Sequence, residues 1–194
     1  ETDEMYKLIS SEVKSGFSQT QTQQVPLVCH GHSRPIVSLE YSKETPDGTF
    51  LVSSSKDGKP MLRDAQSGDW IGTFEGHRGA CWDATLNAPA THCATASADF
   101  SAKLFNAITG DCLYTFTHKH IVKTVCFSTC GTKLITGGSE KVVRIFDLRK
   151  LELDSNNKDK DNITSITQPM SELTGAPSQI KTARYICNDE LILS

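Results

Sequence analysis

A Gly-His pair recurs along this chain at nearly constant distance. Gly31-His32 returns as Gly76-His77, 45 residues on, and a weaker copy, Lys119-His120, follows after 43. A period of that size marks a repeat architecture, in which each unit buries its apolar face against the next. Each pair leads into a short alternating apolar stretch: Ile36 to Tyr41, Ala80 to Leu86 and Ile121 to Phe127. A turn follows at Thr45-Pro-Asp-Gly48, Asn87-Ala-Pro-Ala90 and Ser128-Thr-Cys-Gly131. Second strands are expected at Phe50–Ser54, Thr91–Ala96 and Lys133–Gly137.

An acidic turn comes next, at Lys56-Asp-Gly58, Ala98-Asp99 and Ser139-Glu140. Third strands then read Pro60–Arg63, Ala102–Phe105 and Val142–Phe146. The first two units turn again through Gln66–Asp69 and Ile108–Asp111, and fourth strands follow at Trp70–Phe74 and Cys112–Phe116. Four short strands per period of this length is the WD-repeat pattern, one propeller blade per unit. The expected fold is therefore all-β: a WD-repeat β-propeller of about three complete blades and part of a fourth. Blade 1 covers about 31–74, blade 2 about 76–116, blade 3 about 119–167 and the partial blade 4 about 173–194.

Each unit carries the same polar set. His32, His77 and His120 precede Asp57, Asp99 and Glu140, and Ser53, Thr95 and Thr136 stand four residues before each acid. An imidazole, a hydroxyl and a carboxylate can form a hydrogen-bond chain that ties the incoming loop to the acidic turn. The usual fourth member, a tryptophan, is replaced by Arg63, Phe105 and Phe146. The chain of bonds should thus be shorter and packing more important. A catalytic His-Asp pair or a metal site is the rival reading. Repetition in every unit argues against it, because a structural device repeats and an active site does not.

The pattern breaks after Lys150. Residues 151–162 are polar and charged, and read as an exposed insertion between blades. Ile163–Ile166 is expected to be the outer strand of blade 3. Ala176 takes the histidine position of the fourth unit, with strands expected at Ile180–Ile186 and Glu190–Ser194. Residues 1–24 read as a flexible N-terminal extension, and Val25–Val28 as an outer strand of another blade. Three blades and part of a fourth do not close a ring, so the expected parent is a longer, seven-bladed chain.

Composition narrows the function classes. Lys and Arg number 20 against 23 Asp and Glu, a formal net charge of -3. That balance does not suggest an extended nucleic-acid-binding surface, although a local basic patch can form on folding. No apolar run is long enough to span a membrane, and no secretory signal is expected. Seven cysteines without a CxxC pair make neither a disulfide framework nor a zinc knuckle. They are expected to stay reduced and to pack as small hydrophobes. The chain holds no glycine-rich phosphate loop, no HExxH and no GxSxG, so no enzyme, cofactor or metal is expected. Candidate partner contacts are Arg34, Lys56, Lys59, Arg78, Trp82 and Lys119, since arginine and aromatic residues dominate contact energies when exposed. Trp70 is expected to pack between strands.

Longer segments are more specific than the repeat. Gly31–Val37, Lys56-Asp-Gly-Lys-Pro-Met-Leu-Arg63, Gly68–Phe74, Ala98–Lys103 and His118–Val125 resemble the serine-threonine kinase receptor-associated branch of the WD-repeat family. The resemblance covers about residues 26–150. It implies a non-enzymatic scaffold whose partners are survival-of-motor-neuron complex components, transforming growth factor beta receptor kinases and inhibitory Smad. It further implies small nuclear ribonucleoprotein assembly and a location in the cytoplasm and also the nucleus, with any RNA contact mostly indirect. The i subunit of translation initiation factor 3 is a near relative in blade sequence, sharing the segment Gly76-His-Arg-Gly-Ala-Cys-Trp82, and is the alternative.

Overall fold

The computed structural model describes residues 28–150, 164–166, 168–186 and 191–193. The N-terminal extension, most of Val25–Val28, the 151–162 insertion and Cys187 lie outside the described residues. Strand and turn signals resolve into three antiparallel sheets and the start of a fourth. β1 (Ile36–Tyr41), β2 (Phe50–Ser55), β3 (Met61–Asp64) and β4 (Trp70–Thr73) pair in sequence order. So do β5 (Cys81–Leu86), β6 (His92–Ser97), β7 (Ser101–Asn106) and β8 (Cys112–Thr117). β9 (Val122–Phe127), β10 (Lys133–Gly138) and β11 (Val143–Asp147) begin the third blade. The fold is an unclosed WD-type propeller, as the repeat predicts.

Two strands fall differently from the sequence reading. The segment assigned as outer strand of blade 3 forms β12 (Thr164–Ile166), which runs parallel to β8 and adds a fifth strand to blade 2. The outer strand of blade 3 is β13 (Ser171–Leu173), antiparallel to β11. Blade 3 thus extends past residue 167. The physical reason is an ion pair: Arg144 on β11 faces Glu172 on β13, with Nε donating to the carboxylate at 2.8 Å. Among the described residues of the fourth unit only β14 (Arg184–Ile186) and β15 (Leu191–Leu193) pair, so Ile180–Ala183 leads into the strand rather than forming it.

The core lies between blades. Val52, Leu62 and Phe74 of blade 1 meet Ala84, Leu86, Cys93 and Phe105 of blade 2. Leu104 and Phe116 of blade 2 meet Val122, Val125, Leu134 and Phe146 of blade 3. Ile135 and Val143 of blade 3 meet Ile180 and Ala183. Adjacent residues of one strand therefore serve opposite interfaces, as a period-2 backbone requires: Leu134 faces blade 2 and Ile135 faces the fourth unit. This explains why β6 and β10 are buried almost throughout. By contrast β1 exposes Ile36, Leu39 and Tyr41. Trp70 is 60% exposed, its indole N–H donating to Thr73 Oγ1 at 3.1 Å, so the packed position expected for it is wrong. Its strand, β4, is the outermost of blade 1 among the described residues.

Candidate functional site

The polar set of the repeat assembles first in blade 2. His77 Nδ1 lies 2.8 Å from Asp99 Oδ2, and Nε2 lies 2.7 Å from Thr95 Oγ1. The same oxygen of Asp99 accepts the backbone N–H of Arg78 at 3.0 Å, so the loop after the histidine is fastened to the acidic turn. Asp99 Oδ1 accepts the backbone N–H and the hydroxyl of Ser101. Burial alone would push the Asp99 carboxyl up, but the bonds from His77 and Ser101 outweigh it and hold the group well below the usual range. Blade 1 repeats the geometry: His32 reaches Asp57 at 2.9 Å and Ser53 at 2.8 Å, and Ser33 N–H donates to Asp57. Asp99→Ala is expected to destabilise the protein by about 1–3 kcal/mol, because His77 and the Arg78 amide are left without their acceptor. Urea unfolding of the variant beside the parent measures it.

Blade 3 corrects the sequence reading. The histidine of the set is His118, not His120: His118 Nε2 is 3.3 Å from Thr136 Oγ1. His118 precedes Thr136 by 18 residues, as His77 precedes Thr95, so the spacing carried the signal and the Lys-His likeness to Gly-His misled. His120 is exposed, lies against Phe100, and gives only its backbone N–H to Glu140. Nor does Glu140 bond His118, which stands 4.0 Å away. Arg144 sits between them, donating to His118 Nδ1 at 2.6 Å and to both Glu140 oxygens.

Burial and then the Arg144 cation push the His118 imidazole down to about 4. A group lowered in the folded state is neutral there while the unfolded chain already binds protons. Its contribution is complete above the ordinary histidine value and lost as pH falls from about 6.5 towards 4. The expected slope in that window is at most about 1.4 kcal/mol per pH unit. His118→Gln should flatten it in urea unfolding followed against pH.

The positions that usually hold tryptophan confirm the shift from bonding to packing. Phe105 sets its ring against the edge of His77, and Phe146 against His118. Arg63 instead donates to the His30 and Gly68 carbonyls, tying the incoming chain to blade 1.

A second constellation was not legible in the motifs. Counting five residues on from His32, His77, His118 and Ala176 gives Val37, Trp82, Lys123 and Lys181. In β1, β5 and β9 this residue is the extra one in a pairing irregularity: the register skips Val37, Trp82 and Lys123. A bulge re-aims the side chain it frees. All four positions line one cavity of about 400 Å³ at the inner ends of the blades. Ser38, Asp83, Thr182 and Arg184 complete its lining. Asp83 is buried and accepts from Ser38 of blade 1 at 2.9 Å and from Thr124 Oγ1 and Val125 N–H of blade 3 at 3.1 Å. Arg184 of the fourth unit donates to it at 3.1 Å, and to Thr124 Oγ1. One carboxylate therefore joins four consecutive units.

The proposed contact residues divide. Lys56 and Trp82 come together, the ammonium lying 5.9 Å from the indole centroid, and Lys123 approaches the same ring at 5.6 Å. Lys59 is exposed and paired with Glu75 at 3.1 Å. Arg34, Arg78 and Lys119 are exposed in the loops after their blades' histidines. No cluster of His, Cys, Asp and Glu able to hold a metal occurs among the described residues.

The WD domain, G-beta repeat family matches residues 23–64, 68–106 and 110–147. The chain belongs to the WD-repeat family. Among relatives of these WD repeats, serine-threonine kinase receptor-associated protein of Homo sapiens is 50% identical over 172 residues, 89% of this chain and 45% of that protein. The Dictyostelium discoideum protein of that name is 43% identical over 86% of this chain and 52% of its own. Eukaryotic translation initiation factor 3 subunit I of Caenorhabditis elegans is 37% identical over 55% of this chain and 32% of its own. The chain thus spans about half the length of these serine-threonine kinase receptor-associated relatives. Among solved structures, a chain of Chaetomium thermophilum Polycomb Repressive Complex 2 bound to GSK126 superposes with a TM-score of 0.71. At 14% identity, over 87% of this chain and 38% of that one, it supports the fold alone.

Proposed function

We propose that this chain is part of a non-catalytic WD-repeat scaffold of the serine-threonine kinase receptor-associated kind. The observation that carries the reading is half-identity sustained through nearly all of the chain, whereas the initiation-factor likeness covers 55% to 64% of it at lower identity. The geometry is consistent with it. The His and acid side chains of each unit are bound to loops and turns of their own blade, a holding role rather than acid–base work. The proposed partners are components of the survival-of-motor-neuron complex, receptor kinases and inhibitory Smad, met in the cytoplasm and nucleus.

Co-immunoprecipitation from cells expressing the tagged protein tests this. Recovery of survival-of-motor-neuron components over initiation factor 3 subunits is the expected result. Recovery of the initiation factor subunits alone would replace the reading with the translation-factor alternative.

A further inference from the structure

The bulged position at the inner end of each blade is where the repeat is least uniform. It holds Val37, Trp82 and Lys123, and the corresponding place in the fourth unit, ahead of β14, holds Lys181. A position that served only the fold would carry similar residues in successive blades. Trp82 is also a poor structural choice, since its indole N–H is buried without an acceptor. Around it stand Lys56, Lys123 and Lys181. None of the three pairs with a carboxylate among the described residues, and Lys123 reaches only the Gln179 side-chain oxygen, at 2.8 Å. Asp83, the one acid lining the cavity among the described residues, is already matched by Arg184.

We infer that this cavity is a recognition site for an acidic peptide segment of a partner protein, with Trp82 as the apolar platform and Lys56, Lys123 and Lys181 as the carboxylate-binding rim. An aromatic flanked by cations presents a hot-spot centre with a charged border. The cavity, about 400 Å³, holds one or two side chains rather than a polymer backbone. Two lysines lining one concavity, with Lys56 beside the same indole, in a chain of net charge -3, differ from the long basic track that nucleic acid requires. The assignment deepens the scaffold reading by naming the chemistry of its partner, and rests on that reading for taking a protein as the ligand.

Trp70 and Trp82 are the two tryptophans of the chain, so Trp70→Phe makes the emission report on Trp82. In that background a short Asp/Glu-rich peptide is titrated beside its Asn/Gln counterpart and a single-stranded oligouridine. The acidic peptide is expected to shift Trp82 emission, saturably, with affinity falling as salt rises. Lys56→Glu with Lys181→Glu, both at exposed positions, should weaken it at least about tenfold while leaving the melting temperature unchanged. Lys123→Gln supplies a second, milder variant. Equal binding of the neutral peptide, unaltered binding by both variants, or a response to oligouridine alone overturns the assignment. The same variants in the co-immunoprecipitation separate the two ideas. Partners recovered equally with wild type and variant leave the scaffold and remove this site, whereas none recovered with wild type removes the scaffold reading and leaves the peptide titration to judge the cavity.

Discussion

Asp83→Ala is expected to cost about 3 kcal/mol of stability, the low end of the range for breaking a buried ion pair by removing one partner, because Arg184 keeps part of its side chain in solvent. Asp83 is 4% exposed and accepts from a Ser38 hydroxyl, a Thr124 hydroxyl, the Val125 amide and the Arg184 guanidinium. Removing the carboxylate leaves these donors facing each other in a space too polar to collapse. The Arg184 cation suffers most, since the charge of Asp83 is what offsets the cost of burying it. Asp83→Asn keeps the shape and one acceptor oxygen, so its loss should be smaller. Urea unfolding of both variants measures the difference. A cost below about 1 kcal/mol for the alanine variant would show that the four units are held by apolar packing alone.

The second large effect is expected at Phe105. Its ring is fully buried, 5.2 Å from Phe74 across the interface between blades 1 and 2, and edge-on to His77. Phe105→Ala removes an aromatic side chain from a close-packed interface and leaves a cavity that the flanking strands, paired on both sides, cannot close. About 3–5 kcal/mol is the expected loss. Phe105→Leu should recover part of it. Because the ring also buttresses His77, the alanine variant should couple to Asp99→Ala. A double-mutant cycle would then give a sum of single effects larger than the double effect. Strict additivity would mean that Phe105 fills space without steadying the imidazole.

Much of this was legible in residue spacing. The Gly-His interval, the alternation within each strand and the acid-bearing turns placed β1 to β11 within a residue or two. They also placed the His-hydroxyl-acid sets of blades 1 and 2. Blade 3 was misread by one turn of likeness. Lys119-His120 lies nearer than Thr117-His118 to the interval that separates the first two Gly-His pairs, yet only His118 keeps the 18-residue distance to its hydroxyl. The role of Arg144 was hidden because it fills no position of the motif. It works by standing between His118 and Glu140 while holding Glu172.

The misplaced outer strand has a related cause. Ile163–Ile166 is as good a strand sequence as Ser171–Leu173, and propensity cannot say which edge either will join. Pairing was decided by partners far away in sequence: β8 for one and the Arg144–Glu172 contact for the other.

The sequence by itself determined the repeat, the number of strands in each unit and the residues that fasten each blade internally, because those interactions are local and recur. The tertiary structure alone decided what gathers at the inner ends of the blades. Val37, Trp82, Lys123 and Lys181 lie in four different units, tens of residues apart, and no local rule links them. Val37, Trp82 and Lys123 meet because a bulge at the same place in successive inner strands turns that residue toward a common cavity, which Lys181 joins from the segment leading into β14. Asp83 likewise becomes a hub only once blades 1, 2, 3 and the fourth unit are side by side, where burial makes a single carboxylate the necessary partner of donors from three of its neighbours.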